Sequence, residues 1–285
     1  MKITDSHTDF LTALSEEEIE QYVKTMKKSN VKIVSCAVFT TEKKHTLAQI
    51  QHFQQLLITQ SQKHKINLLL SIEDCGVFHS LNDLIDLATL RPFSATLTWN
   101  EKNQFAFGAH SKGGLTNLGK QAIALFEENK ILVDTAHLNR QSFYEFAKLT
   151  KLPIYNSHSN IYALHRHPRN LTEKQIEMIV SSNGFLGLTL YEKFISNKGQ
   201  IKSKDIALQF DYLIKKFGHK NFGLGTDLYG IDPKFLPQDL QSYEDLKNLK
   251  TELQKLGHSN NMIDCIFHKN FEDFINRTKK IKSDE

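Results

Sequence analysis

Cysteine and proline are scarce in this chain: 3 Cys and 5 Pro in 285 residues. Cys36, Cys75 and Cys265 lie far apart, which excludes a disulfide framework and a CxxC zinc site. No stretch rich in Pro or Gly interrupts the chain, so no linker is marked. No apolar run approaches the roughly 20 residues that span a bilayer. No apolar leader precedes the first strand-like run, so the expected compartment is the cytoplasm, with no membrane partner. Charge of one sign is also lacking, with 36 Lys+Arg against 32 Asp+Glu, and nothing in the balance calls for nucleic acid as partner. Against this background the 13 histidines stand out. A metal in this chain would be held by imidazole and carboxylate, not thiolate.

With 40% hydrophobic and 24% charged residues the chain is an ordinary globular one. Short apolar runs alternate with amphipathic stretches from end to end. Strands are expected at 2–4, 31–39 (VKIVSCAVF), 67–72 (NLLLSI), 93–98 (FSATLT), 131–135 (ILVDT), 152–156 (LPIYN), 184–190 (GFLGLTL) and 221–225 (NFGLG). Ser15 before three Glu marks a helix start. Thr172 with Gln175 makes a capping box, Leu171 and Ile176 a hydrophobic staple, and Gly218 an αL cap for a helix over 204–217. Near-continuous apolar strands are the parallel-sheet signature. Eight βα units in about 250 residues describe a (β/α)8 TIM barrel. The doubly wound alternative lacks a GxGxxG after its first strand. The expected organisation is one barrel over 1–278, closed by C-terminal helices, and a charged, fraying tail at 279–285.

Barrel enzymes carry their chemistry at the C-terminal ends of the strands. Here those ends hold His7 and Asp9, Glu73, His137, His158 and Asp227. His7 and Asp9, two apart on an extended strand, point to one side. Each residue alone has an ordinary reading as a turn cap or a buried polar group, and Asp74 competes with Glu73 by composition. Their joint occurrence at strand ends favours a metal site. Three imidazoles with carboxylates suit Zn²⁺, with Mn or Fe as alternatives. Five ligands exceed one tetrahedral catalytic zinc, so a carboxylate shared by two ions is expected, leaving Asp227 free as a proton shuttle. The remaining histidines read as surface residues, except His165 and His167 near Arg169.

These segments resemble the membrane dipeptidase (renal dipeptidase) family of zinc peptidases, among the amidohydrolase-like barrels. The resemblance rests on Asp5-Ser6-His7-Thr8-Asp9, Ser71-Ile72-Glu73, Val133-Asp134-Thr135-Ala136-His137, Ser157-His158-Ser159, His167-Pro168-Arg169-Asn170-Leu171-Thr172 and Gly225-Thr226-Asp227. It spans nearly the whole chain in order. It implies one zinc on His7 and Asp9, another on His137 and His158, and Glu73 as the bridge. It further implies Arg169 on the substrate's C-terminal carboxylate and Tyr191 beside the substrate. The implied activity is hydrolysis of dipeptides by a metal-bridging hydroxide, in a protein that family habit makes a homodimer.

The chain departs from the family pattern in three places. Trp99 stands in Leu97-Thr98-Trp99-Asn100 where the renal type has His; it donates one N–H and cannot titrate. The eighth-strand motif continues Leu228-Tyr229-Gly230 without a second Asp. Asp74-Cys75 follows Glu73 where two Gly are usual. These departures bear on substrate range and keep two other readings open: another amide or lactone hydrolase, such as an N-acyl amino acid deacylase, and a metal-retaining protein without catalysis.

Overall fold

The computed structural model describes residues 1–40, 45–197 and 199–281. Its eight strands are β1 (Ile3–Thr8), β2 (Val31–Phe39), β3 (Asn67–Glu73), β4 (Ser94–Thr96), β5 (Leu132–Asp134), β6 (Tyr155–Asn156), β7 (Phe185–Leu188) and β8 (Phe222–Leu224). They form one closed barrel in chain order, every neighbouring pair parallel, with β8 meeting β1 at Leu224 and Asp5. The expected (β/α)8 architecture is therefore observed.

Strand lengths differ from expectation at both extremes. β1 runs on through Asp5, Ser6, His7 and Thr8, all buried. These polar side chains enter the barrel because they find partners there. Ser6 Oγ donates to the carbonyls of Ser157 (2.6 Å) and Leu224 (2.8 Å), and Thr8 Oγ1 to that of Leu228 (2.8 Å). β6 shrinks to Tyr155–Asn156; Pro153 has no N–H to give a ladder.

Helices α1 (Phe10–Ala13), α2 (Glu16–Lys28), α3 (Leu47–His64), α4 (Leu81–Thr89), α5 (Asn117–Glu128), α6 (Arg140–Leu149), α7 (Glu173–Ser181) and α8 (Ser203–Phe217) connect the strands. Ser15 caps α2 and Thr172 caps α7, each in a reciprocal capping box; a cap of this kind contributes about 1 kcal/mol. Leu171 and Ile176 are both buried, as the staple requires. Gly218 ends α8 with φ 82° but ψ −172°, so it is not the expected αL cap. It leaves in an extended direction open chiefly to glycine.

After β8 come α9 (Leu246–Lys255), α10 (Asn260–Asp264), a π turn at Cys265–Lys269 and α11 (Asn270–Ile281). Phe271, Phe274 and Ile275 of α11 close the amino-terminal end of the barrel against Ile33, Leu132, Tyr155 and Phe185. This apolar plug leaves the other end for chemistry. Lys279 and Lys280 belong to the last turn of α11, where cations suit the helix dipole. The rest of the expected tail, 282–285, lies outside the described residues. No helix among the described residues is long and apolar enough to cross a membrane.

Candidate active site

His7, near the end of β1, and Asp9, just beyond it, meet with Nε2 3.1 Å from Oδ2. Glu73 ends β3 and enters between two groups of ligating atoms. Its Oε1 lies 2.8 Å from Nε2 of His137 and 3.8 Å from Nε2 of His158. Its Oε2 lies 3.8 Å from Nε2 of His7. The two histidines on the Oε1 side face each other, Nε2 to Nε2 at 2.9 Å. Asp227, after β8, places Oδ1 3.8 Å from Nε2 of His7. All six expected residues therefore converge at the C-terminal mouth. Asp74 does not join them. It turns away, accepting from the Gly76 N–H (2.7 Å) and Asn103 Nδ2 (3.0 Å), so of the two it is Glu73 that faces the histidines.

The backbone aims two of these side chains through unusual turns. His137 has φ 70° and Asp227 φ 62°. Such left-handed residues are uncommon outside glycine, though His and Asp tolerate them best, and a strained position of this kind is held by its surroundings.

Electrostatics at the mouth are severe. Burial pushes the Glu73 and Asp227 carboxyls well above the usual carboxylate range. Burial alone would lower His7, but Asp9, Glu73 and Asp227 outweigh it and raise its imidazole to about 10. Burial, with Arg169 and His7 nearby, drives His137 and His158 well below 6.5. The latter two are thus neutral, the form that ligates a metal. Apart from their mutual 3.1 Å contact, Nε2 of His7 and both carboxylate oxygens of Asp9 are buried without a hydrogen-bond partner. Ligand atoms of His7, Glu73 and His158 lie within 4.8 Å of one another, as do those of His7, Asp9 and Asp227. Crowded carboxylates, neutral imidazoles and the buried oxygens of Asp9 make a donor set that fits divalent cations.

A cavity of about 580 Å³ opens onto this cluster, lined among others by Trp99, Arg169, Tyr191, Phe194 and Asp227. Arg169 is buried and donates Nη2 to Nε2 of His158 at 2.9 Å, with its guanidinium 5.5 Å from the Phe194 ring. Tyr191 packs edge-on against Phe194 and Phe235. Trp99 lies between Phe39 (5.4 Å) and His137 (5.8 Å).

Sequence reasoning missed the groups behind the histidines. Asn100 Oδ1 meets Nδ1 of His137 at 2.9 Å, and Ser157 Oγ meets Nδ1 of His158 at 2.8 Å. Each adjoins a residue already singled out, Trp99 or His158, and that adjacency was the available signal. His110 and His167 also line the cavity. His45 and His64, expected at the surface, are buried.

A closed (β/α)8 barrel with a histidine–carboxylate cluster at its mouth defines the class of metal-dependent hydrolase barrels. The chain belongs to the membrane dipeptidase family, peptidase family M19, whose family model matches residues 1–285. An uncharacterized dipeptidase of Schizosaccharomyces pombe is 34% identical over 56% of this chain and 42% of its own length. An uncharacterized protein in the pqqA 5′ region of Klebsiella pneumoniae is 30% identical over 61% of this chain and 67% of its own. The chain spans 42%, 52%, 38% and 39% of the length of four curated relatives it matches. A metallopeptidase of Rhodobacter sphaeroides, crystallised with a phosphinate mimic of L-Ala-D-Ala, superposes with TM-score 0.82 at 20% identity, covering 98% of this chain and 99% of that one. A dipeptidase structure of family M19 gives TM-score 0.86 at 20% identity, covering 98% of both chains. At these identities the structural likeness speaks for the fold.

Proposed function

We propose that this protein is a metal-dependent dipeptidase with a binuclear, zinc-type centre. The observation that carries the reading is the division of Glu73. One carboxylate oxygen faces His137 and His158, the other faces His7, as a ligand shared by two cations would. His7 and Asp9 would hold one ion, and His137 and His158 the other. Bound there, divalent cations supply the positive charge that activates water and stabilises a developing oxyanion at neutral pH.

The protein's own residues do the rest. Asp227 is 16% exposed at its side chain, against 7% or less for His7, Asp9, Glu73, His137 and His158. It is the carboxylate an incoming substrate reaches. Its Oδ1 takes the proton from the attacking water and gives it to the leaving amine. Arg169 offers the planar fork that suits a carboxylate. Nη2 of Arg169, 2.9 Å from Nε2 of His158, would be free for the substrate's C-terminus if His158 held a cation. That charge, buried close to the reacting centre, restricts the substrate to two residues. Tyr191 and Trp99 line the cavity and offer apolar surface to the substrate. The barrel over 1–278 would act as a single catalytic unit.

Elemental analysis of the purified protein, with dipeptide hydrolysis measured with and without chelator, tests the reading. Two metal equivalents and chelator-sensitive turnover are expected. A panel including acyl amino acids and lactones separates dipeptidase from other hydrolase activity. Metal well below two equivalents after reconstitution overturns the binuclear centre.

A further inference from the structure

Ser157 sits immediately before His158 and is 1% exposed. Its backbone is held from every side. Its N–H donates to Asp134 Oδ1 at 2.9 Å, and its carbonyl accepts from Ser6 Oγ at 2.6 Å. Gly187 and Gly225 close on that carbonyl so tightly that a Cβ would stand 2.1 and 2.0 Å from it. A side chain at either position would push Ser157 aside. The hydroxyl of Ser157 is thus delivered to one place.

That place lies between two histidines from opposite sides of Glu73. Ser157 Oγ is 2.8 Å from Nδ1 of His158 and 3.5 Å from Nδ1 of His7, the second at the long limit for a hydrogen bond. The two rings are tilted by 34° with centroids 3.9 Å apart. The buried Asp134 carboxylate, which takes the Ser157 N–H on Oδ1, stands close enough for the same hydroxyl to favour its charged form. A hydroxyl has one proton to give and two lone pairs to fill. A hydroxyl proton turned toward Asp134 would leave both lone pairs for the two Nδ1–H groups.

We propose that Ser157 is a positioning residue joining the two halves of the centre, its one hydroxyl orienting His7 and His158 together from behind. An imidazole that accepts a cation on Nε2 must carry its proton on Nδ1, and the partner of that proton sets the ring's orientation. Asn100 performs this service for His137 alone. Ser157 performs it once for each half, with Asp134 as its anchor. The inference rests on the binuclear reading above.

Zinc titration against a chromophoric chelator tests it in zinc-depleted wild type, Ser157→Ala and Asn100→Ala. Loss of such a partner costs about 10–100-fold in metal affinity. Ser157→Ala is expected to weaken both equivalents by that factor, and Asn100→Ala only one. A role in packing alone would lower the melting temperature of the zinc-free protein and leave both constants in place. Fewer than two equivalents in wild type overturns the binuclear reading, and this inference with it. Two equivalents in wild type, with either constant unchanged in Ser157→Ala, overturns this inference alone. Should Ser157→Ala not fold, histidine-selective ¹⁵N spectra of the zinc-loaded wild type read the same contacts. Nδ1 protons of both His7 and His158 protected from exchange are expected; rapid exchange at either overturns the proposal.

Discussion

Glu73 and His137 meet at 2.8 Å, Oε1 to Nε2, while the other oxygen of Glu73 points across the mouth toward His7. The carboxylate spans the site because β3 carries it between the strands that bring the two histidines. Replacing it with an amide keeps the shape and removes the charge. Glu73→Gln is therefore expected to bind fewer than two zinc ions and to lose more activity than the about 10–100-fold that follows loss of a partner behind a ligand. Elemental analysis of the reconstituted variant checks this. Two tightly held ions would refute the bridge.

Arg169 is the buried cation of the cavity, and its Nε has no hydrogen-bond partner. A charge-assisted hydrogen bond to a carboxylate contributes about 1.5–3 kcal/mol. Arg169→Ala should lower kcat/KM for free dipeptides by roughly 10- to 100-fold, chiefly through KM. Dipeptide amides, lacking the carboxylate, should lose far less. Equal losses on both substrates would remove Arg169 from carboxylate binding.

Asp227 is the most exposed carboxylate of the cluster. Asp227→Asn keeps the side chain's size and removes its capacity to hold a proton. A drop in kcat of about 10²–10⁴-fold is expected, with two zinc ions retained. Full turnover in the variant would end its assignment as shuttle.

His167 lines the cavity and packs on Phe194 at 4.6 Å. Burial, reinforced by the positive Arg169, lowers its imidazole to about 4. The sign follows from linkage: the unfolded chain takes up this proton near 6.5 and the folded chain only near 4. The stability tied to a neutral His167 is present above about 6.5 and is lost as pH falls toward 4. His167→Gln should therefore lose less melting temperature than wild type between pH 6.5 and 4.5. Parallel melting curves across that range would show that His167 titrates normally.

The barrel was legible in the sequence because its signals are local. Apolar runs such as 31–39 and caps such as Ser15 and Thr172 depend on residues a few positions apart, and the structure keeps them. β1 was underestimated because Asp5, Ser6, His7 and Thr8 read as a loop by hydropathy. They are strand residues whose partners lie far along the chain, Ser6 with Ser157 and Thr8 with Leu228.

The same division runs through the site. By itself the sequence determined which chemistry is available: imidazoles and carboxylates at strand ends, almost no thiolate, and an arginine after the sixth strand. Only the tertiary structure decided how those groups are used. It chose Glu73 over Asp74, turned one oxygen of Glu73 to each side, and set Asn100 behind His137. It also brought Ser157 to His7 across 150 positions of sequence. Side-chain type and strand-end position are written in short stretches. Orientation arises where distant stretches are packed together, so the barrel must close before it exists.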